Sequence, residues 1–247
     1  MQPAWIPYCG MAPGPGEWLS RWNFDPLLLA ALVAVALTYR LRFSGVEAPR
    51  KRAFAAFMLL AVLLFVSPFC ALTSALFSAR VAHHVALAVI AAPLLVMSLP
   101  REAKRLPGSL VAWTAFQALI FWAWHSPPLY AEALSNDAVY WTMQFSLLAS
   151  AVGFWLAVRR ASPTSAVAAL LATMVQMGLL GALITFAAAP LYAPHFSTTL
   201  PWGLAPLDDQ QLAGLIMWAP AAAFYLAAAL LILGRWLREQ ARPATAA

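Results

Sequence analysis

FSARVAHHVALAVIAAPLL, residues 77–95, is an almost wholly apolar run that contains two adjacent histidines, His83 and His84. About 20 such residues in helical form cross the ~30 Å hydrocarbon core of a bilayer. A helix is expected there because backbone polar groups in lipid must be satisfied within the segment. The run therefore predicts a membrane-spanning helix with polar side chains set into it.

The composition of the whole chain indicates more such helices. Of the 247 residues, 63% are hydrophobic and only 10% are charged, whereas about a quarter of the residues in soluble domains are charged. We expect an all-α, polytopic membrane bundle with seven transmembrane helices at residues 26–236, between a proline- and glycine-rich tail (1–25) and a short C-terminal tail (237–247). The predicted spans are 26–40, 53–77, 81–99, 109–124, 138–158, 164–187 and 210–234.

Arginine and lysine residues predict the orientation of these helices, because cytoplasmic connections carry an excess of both. Of the 15 basic residues, 13 follow the first, third, fifth or seventh span, and only Arg21 and Arg80 lie on the other side. This alternation places the N-terminus outside and the C-terminus in the cytoplasm. It also explains the net charge of +6 without a nucleic-acid partner.

The same topology places every histidine and both cysteines on the extracytoplasmic side. The two groups are His83, His84, His125 and His195, and Cys9 and Cys70. Imidazole, thiolate and thioether ligands suit copper, so copper is the metal we expect first, with haem as the alternative.

The predicted spans lack residues that other intramembrane machinery needs. No aspartate, glutamate or lysine lies in the middle of any span, which argues against a proton-coupled transporter and against a retinal protein. The chain also has no phosphate-binding loop and no hydrolase motif. We expect that it is not an enzyme.

His83 and His84 cannot easily bind one ion together, since successive helical residues point about 100° apart. Arg80 precedes His84 by four residues and therefore shares its face, which places a guanidinium beside it. One interpretation makes these histidines metal ligands, and the other gives them only hydrogen bonds to neighbouring helices. The residues alone leave both open.

Three further candidates carry similar alternatives. His125 stands before Pro127, which ends the helix, and is either a rigidly held ligand or an ordinary interfacial residue. His195 is isolated in an outer loop, where it is a ligand or a solvated side chain. Cys9 could bind Cu(I), pair with a partner or pair with Cys70. The last is disfavoured, because Cys70 is predicted ~10 Å inside its helix by the 1.5 Å rise per residue.

Two predicted inner faces also carry polar or soft side chains. Tyr140 and Gln144 share a face of the fifth span and could form hydrogen bonds to another helix. Met217 lies two turns into the seventh span, where its thioether is a further candidate ligand. Asp208 and Asp209 precede that span, and because a carboxylate suits a helix N-terminus, capping is expected to explain at least one of them.

Several motifs, in this order, resemble the seven-span CtaG-type assembly proteins of caa-type cytochrome c oxidases. They are WNFDPLLLAAL at 22–32, SPF at 67–69, FSARVAHHVALAVIAAPLL at 77–95 with LP at 99–100, WHSPPLYAEAL at 124–134 and DDQQLAGLIMWAP at 208–220. The last two are the most specific, and the resemblance covers nearly the whole chain.

The resemblance also implies which residues depart from the family pattern. Where that family usually carries histidines, this chain has Arg80, Tyr140 and Gln144. The residues that match as they stand are His84, His125, Asp209, Gly214 and Met217. If the family histidines bind copper or haem, this chain has lost most of the set and holds metal through His84, His125 and Cys9, or holds none.

The resemblance implies a bacterial inner-membrane assembly factor for a haem-copper cytochrome c oxidase. It would assist copper insertion on the extracytoplasmic side, with oxidase subunits or other assembly factors as partners. The alternatives are a metal-free accessory or structural subunit of an oxidase, and a copper-handling membrane transporter.

Overall fold

The computed structural model describes residues 5–100 and 107–241, and within these ranges the ordered elements are helices. The ten α-helices are α1 (Pro26–Arg42), α2 (Ala48–Phe65), α3 (Pro68–Ala75), α4 (Phe77–Ala86), α5 (Ala92–Ser98), α6 (Leu110–Trp124), α7 (Pro127–Ala133), α8 (Asp137–Arg160), α9 (Pro163–Thr185) and α10 (Pro206–Gln240). The last helix continues beyond the predicted boundary at residue 236, and most of the predicted C-terminal tail, residues 242–247, lies outside the described part.

Each of the seven predicted segments is helical, but not all are long enough to confirm seven spans. Four helical segments in the described ranges have the length and apolar character to cross a membrane: Phe77–Ser98 (α4 through α5), α8, α9 and α10. The bent pair α2 and α3, with 48° between them, brings the number to five at most. Helix α6 is apolar but shorter. The chain is therefore an all-helical membrane protein with four or five candidate spans.

The second predicted segment is broken, and the break follows from Pro68. Proline has no backbone N–H and suits the first position of a helix, and the Ser67 hydroxyl caps α3 by accepting from the Phe69 amide at 3.2 Å. The end of α2 leaves carbonyl groups free for other donors. Asn23 donates to two of them, from its backbone to Val66 at 2.8 Å and from its side chain to Phe65 at 3.1 Å. The break is thus where the N-terminal tail docks.

A π-helical turn, Leu87–Ala91, joins α4 to α5. The Ala92 amide bonds to the Leu87 carbonyl, one residue further back than in an α-helix. Pro93 has no N–H to offer the Ala88 carbonyl, which instead accepts from the Trp155 indole at 2.9 Å. The turn therefore ties this span to α8.

Helices α9 and α10 approach closely because glycines face each other. A Cβ atom on Gly214 would lie 2.5 Å from the Gly181 carbonyl oxygen and would also meet Thr185. Helix α10 packs against α4 as well as α9, and α8 packs against α6. These five helices share one buried core, and a second core joins α1 and α2 to the π-helical turn.

The start of α4 is held by a residue from α10. Asp209 accepts from the backbone N–H of Phe77 at 2.7 Å and of Ser78 at 3.2 Å, and also from the Ser78 hydroxyl. Such carboxylate bonds satisfy the free N–H groups at a helix start. Of the two carboxylates expected at the start of α10, Asp208 accepts from the Ala205 amide there, at 3.3 Å. Asp209 instead fixes the helix that carries Arg80 and His84.

Candidate functional site

A group of buried polar side chains lies in the middle of the first core. We call it the polar cluster and define it as Arg80 and His84 on α4, His125 after α6, and Tyr140 and Gln144 on α8. All five are at most 3% exposed. Buried polar groups normally have hydrogen-bond partners, so a cluster with few of them is a candidate binding site.

His84 and His125 meet within this cluster, with ring centroids 5.3 Å apart. The Nδ1 atom of His125 lies 2.7 Å from the Phe121 carbonyl oxygen. Because a carbonyl only accepts, Nδ1 carries the proton and Nε2 has a free lone pair. Neither His125 Nε2 nor either nitrogen of His84 has a hydrogen-bond partner among the described residues. The two histidines predicted as the main ligands therefore face each other with nitrogen atoms free.

The ring of His83 lies 5.9 Å from that of His84, measured between centroids, and contacts different neighbours. It packs edge-on against Phe65 at 4.9 Å and parallel to Phe69 at 6.2 Å, measured between centroids. This agrees with the expectation that adjacent histidines on a helix face different neighbours.

His195 has both ring nitrogens engaged. Its Nδ1 lies 3.3 Å from the Ala75 carbonyl oxygen, so it donates there, and its Nε2 accepts from the Tyr130 hydroxyl at 2.6 Å. Burial lowers the pKa of His195 to about 3, which keeps the ring neutral. The side chain is buried, not solvated, and it joins the loop before α10 to α3 and α7.

Cys9 is bonded to Cys70, with 5.3 Å between their Cα atoms, so the expectation against this pairing was wrong. The expectation assumed one unbroken helix over 53–77. Since α2 ends at Phe65, Cys70 lies near the start of α3, where the docked tail reaches it. In this oxidised form Cys9 has no thiolate to offer a metal.

The tail covers the cluster through aromatic contacts as well as the disulfide. The Tyr8 ring stacks on Tyr140 with centroids 5.0 Å apart. Trp202 donates to the Pro13 carbonyl at 3.1 Å, which attaches the tail to the loop before α10. Residues 5–25 therefore form a lid over one end of the bundle.

Arg80 lies at the centre of the cluster, its guanidinium carbon 5.3 Å from the centroid of the Tyr140 ring. Tyr140 and Gln144 are one turn apart on α8 and both are buried, as their predicted inner face requires. Arg80, Tyr140 and Gln144 are thus on two helices, α4 and α8, that line this site. Met217 is fully buried in the same core.

Of the residues present, only His84 and His125 together fit a copper ion, as a pair of ligands. Two neutral imidazoles suit Cu(I), and the Phe121 carbonyl orients His125 as outer partners of metal ligands do. Within the part of the chain that the structure describes, no three histidine, cysteine or acidic side chains are grouped to hold a metal ion. A four-ligand site of the structural zinc type is therefore not formed by these residues.

Apolar helices of spanning length, packed around a buried histidine pair, define a helical membrane protein with a candidate site for a soft metal. The family model of the cytochrome c oxidase caa3 assembly factor (Caa3_CtaG) matches residues 31–239, and the chain belongs to this family. The predicted family is thereby confirmed. Comparisons with curated proteins and with solved structures found no match.

Proposed function

We propose that the protein is a non-catalytic assembly factor for a haem-copper cytochrome c oxidase in a bacterial inner membrane. In this proposal it presents Cu(I) for insertion on the extracytoplasmic side, to oxidase subunits or to other assembly factors. Family membership supports the assembly role. The proposed topology has seven spans, with α1 and α6 as the short ones, and the N-terminus outside.

The observation that carries the copper part is the His84–His125 pair. The two rings lie 5.3 Å apart, three of their four nitrogens have no hydrogen-bond partner in the described residues, and a histidine binds metal through its neutral ring. These two side chains would hold the ion. Asp209 would set the position of His84 through α4, and the Phe121 carbonyl would set the ring of His125.

Copper binding by the full-length chain in detergent tests this assignment. We expect one Cu(I) per chain in competition with a colorimetric Cu(I) chelator, and loss of that copper in the His84→Ala and His125→Ala double variant. The matched controls are His83→Ala, which removes a neighbouring buried imidazole, and His195→Ala. Both should keep the full stoichiometry. Unchanged copper content in the double variant would contradict the site.

A second candidate function, a metal-free accessory subunit, is favoured by the charge of Arg80 beside the histidine pair. Complementation separates the two. Deleting the gene should lower the amount of active oxidase, and the copper proposal expects the double histidine variant to restore little of it. Full restoration by that variant would favour the metal-free role.

A further inference from the structure

Arg80 is a fully buried cation whose charge no described residue balances. Its side chain is 0% exposed, and among the described residues its guanidinium interacts only with the neutral hydroxyls of Tyr130 and Tyr140 and the face of the Tyr140 ring, none of them at full hydrogen-bond geometry. A guanidinium stays protonated in proteins, so burial cannot neutralise it as it can a lysine. An unpaired buried charge is among the costliest features a fold can contain.

The groups around Arg80 are neutral. The positive charge of Arg80 acts on His195 and on Tyr130. Burial raises the pKa of Tyr130, and the nearby guanidinium opposes that rise. Asp209, the acid buried against the same helix, uses both oxygens at the start of α4. Asp209 therefore forms no direct ion pair with Arg80 within the described part of the chain.

Other unpaired donors belong to the neighbouring helices. The amide of Gln144 on α8 and the hydroxyl of Ser74 on α3 are buried and have no partner in the described part of the chain. Together with Arg80 on α4 they offer hydrogen-bond donors from three helices. A guanidinium together with neutral hydrogen-bond donors is the chemistry that binds an anion.

A cavity also lies beneath the tail, next to α3 and the loop before α10. This cavity of about 330 Å³ is lined by Pro7, Met11, Ser74, Pro194 and Thr198, among others. Thr198 donates to the Ala75 carbonyl at 2.7 Å, beside His195, and His195 contacts Tyr130. The unpaired Ser74 hydroxyl belongs to a residue of this cavity wall.

We propose that Arg80 is the centre of a binding site for a small carboxylate anion, with Gln144 as a second donor. The planar fork of a guanidinium matches the two oxygens of a carboxylate, and the burial of the surrounding side chains limits the ligand to a molecule the size of formate or acetate. The proposal uses side chains of the polar cluster other than the histidine pair and does not rest on copper binding.

Thermal unfolding of the full-length chain in detergent tests the proposal with sodium formate as the probe. Ionic strength is held constant with sodium methanesulfonate. A ligand that binds only the folded state raises the midpoint temperature with the logarithm of its concentration above Kd, and we expect this for the native chain. Arg80→Gln should abolish the dependence. Arg21→Gln is the matched control, because Arg21 is exposed and paired with Glu17 at 3.0 Å, and it should keep the native response.

Equilibrium binding of radiolabelled formate to the native chain keeps the proposal falsifiable if Arg80→Gln does not fold. We expect one formate per chain, displaced by acetate and not by an equal concentration of chloride. Absence of bound formate would overturn the proposal, as would an equal response in Arg80→Gln. Equal displacement by chloride would assign the site to a halide and overturn the carboxylate.

Discussion

Single residues set the geometry of the polar cluster from a distance. Asp209 belongs to α10, yet its carboxylate supplies the hydrogen bonds that the first turn of α4 lacks. Leu76, the residue before that helix, offers no side-chain cap. The position of His84 along the bundle therefore depends on a residue more than a hundred positions later in the chain.

Replacing Asp209 by alanine should destabilise the fold by about 1–3 kcal/mol, since it leaves buried N–H groups without partners. Asp208→Ala removes a comparable carboxylate from an exposed cap and should cost about 1 kcal/mol or less. Denaturant unfolding in detergent micelles measures both variants. Equal losses would show that Asp209 acts only at its own helix.

At the scale of helices, the sequence predicts the existence of each segment better than its shape. The seven apolar runs are all helical, because the need to satisfy backbone groups in lipid leaves little choice. The break at residues 66–67 was missed, although a serine before Pro68 is a helix-start signal. The disulfide was missed with it, since the tail carries no periodicity that would show where it docks.

The disulfide between Cys9 and Cys70 should stabilise the fold by about 2–4 kcal/mol, as expected for a link across a long loop. Replacing both cysteines with serine should therefore lower the midpoint temperature of thermal unfolding. The reduced native chain should match this variant, and the oxidised native chain should melt higher. Identical midpoints with and without reductant, under conditions where alkylation proves reduction, would contradict the prediction.

The contact between α9 and α10 makes two glycines differ in their tolerance of a methyl group. Gly214→Ala should cost about 1–3 kcal/mol through overpacking, because its Cβ would lie 2.5 Å from the backbone oxygen of Gly181. Gly178→Ala on α9 is the control, since its Cβ would meet the Trp218 side chain at an ordinary 3.4 Å. Unfolding in detergent should separate the two variants, and an equal effect would argue against this packing.

For the whole molecule, the family and the class of helical membrane protein could be predicted from the sequence. The residues that form the site could be predicted only in part. His84 and His125 were predicted as ligands, and the fold does bring them together. The engagement of His195 with Tyr130 was not predicted, because it joins positions 65 residues apart through a loop without a motif. The disulfide of Cys9 was not predicted either, because it depends on the helix break at residues 66–67, which the apolar pattern does not show.

The orientation of the whole chain rests on its basic residues and remains a prediction. A fluorescent reporter fused after Ala247 should fold in the cytoplasm, while alkaline phosphatase at the same position should be inactive. Active alkaline phosphatase there would reverse the topology and place the polar cluster on the cytoplasmic side. Fusions in the loop before α10 provide the opposite control.

The link between Cys9 and Cys70 turns a stretch of this polypeptide into a covalent ring with a sequence separation of 61 between its ends. Helices α1 and α2 both lie inside this ring, joined by the turn at residues 43–47. A protease that nicks that turn cannot release either piece, because the sulfur bridge holds them together. The two pieces stay joined for as long as the disulfide stays oxidised.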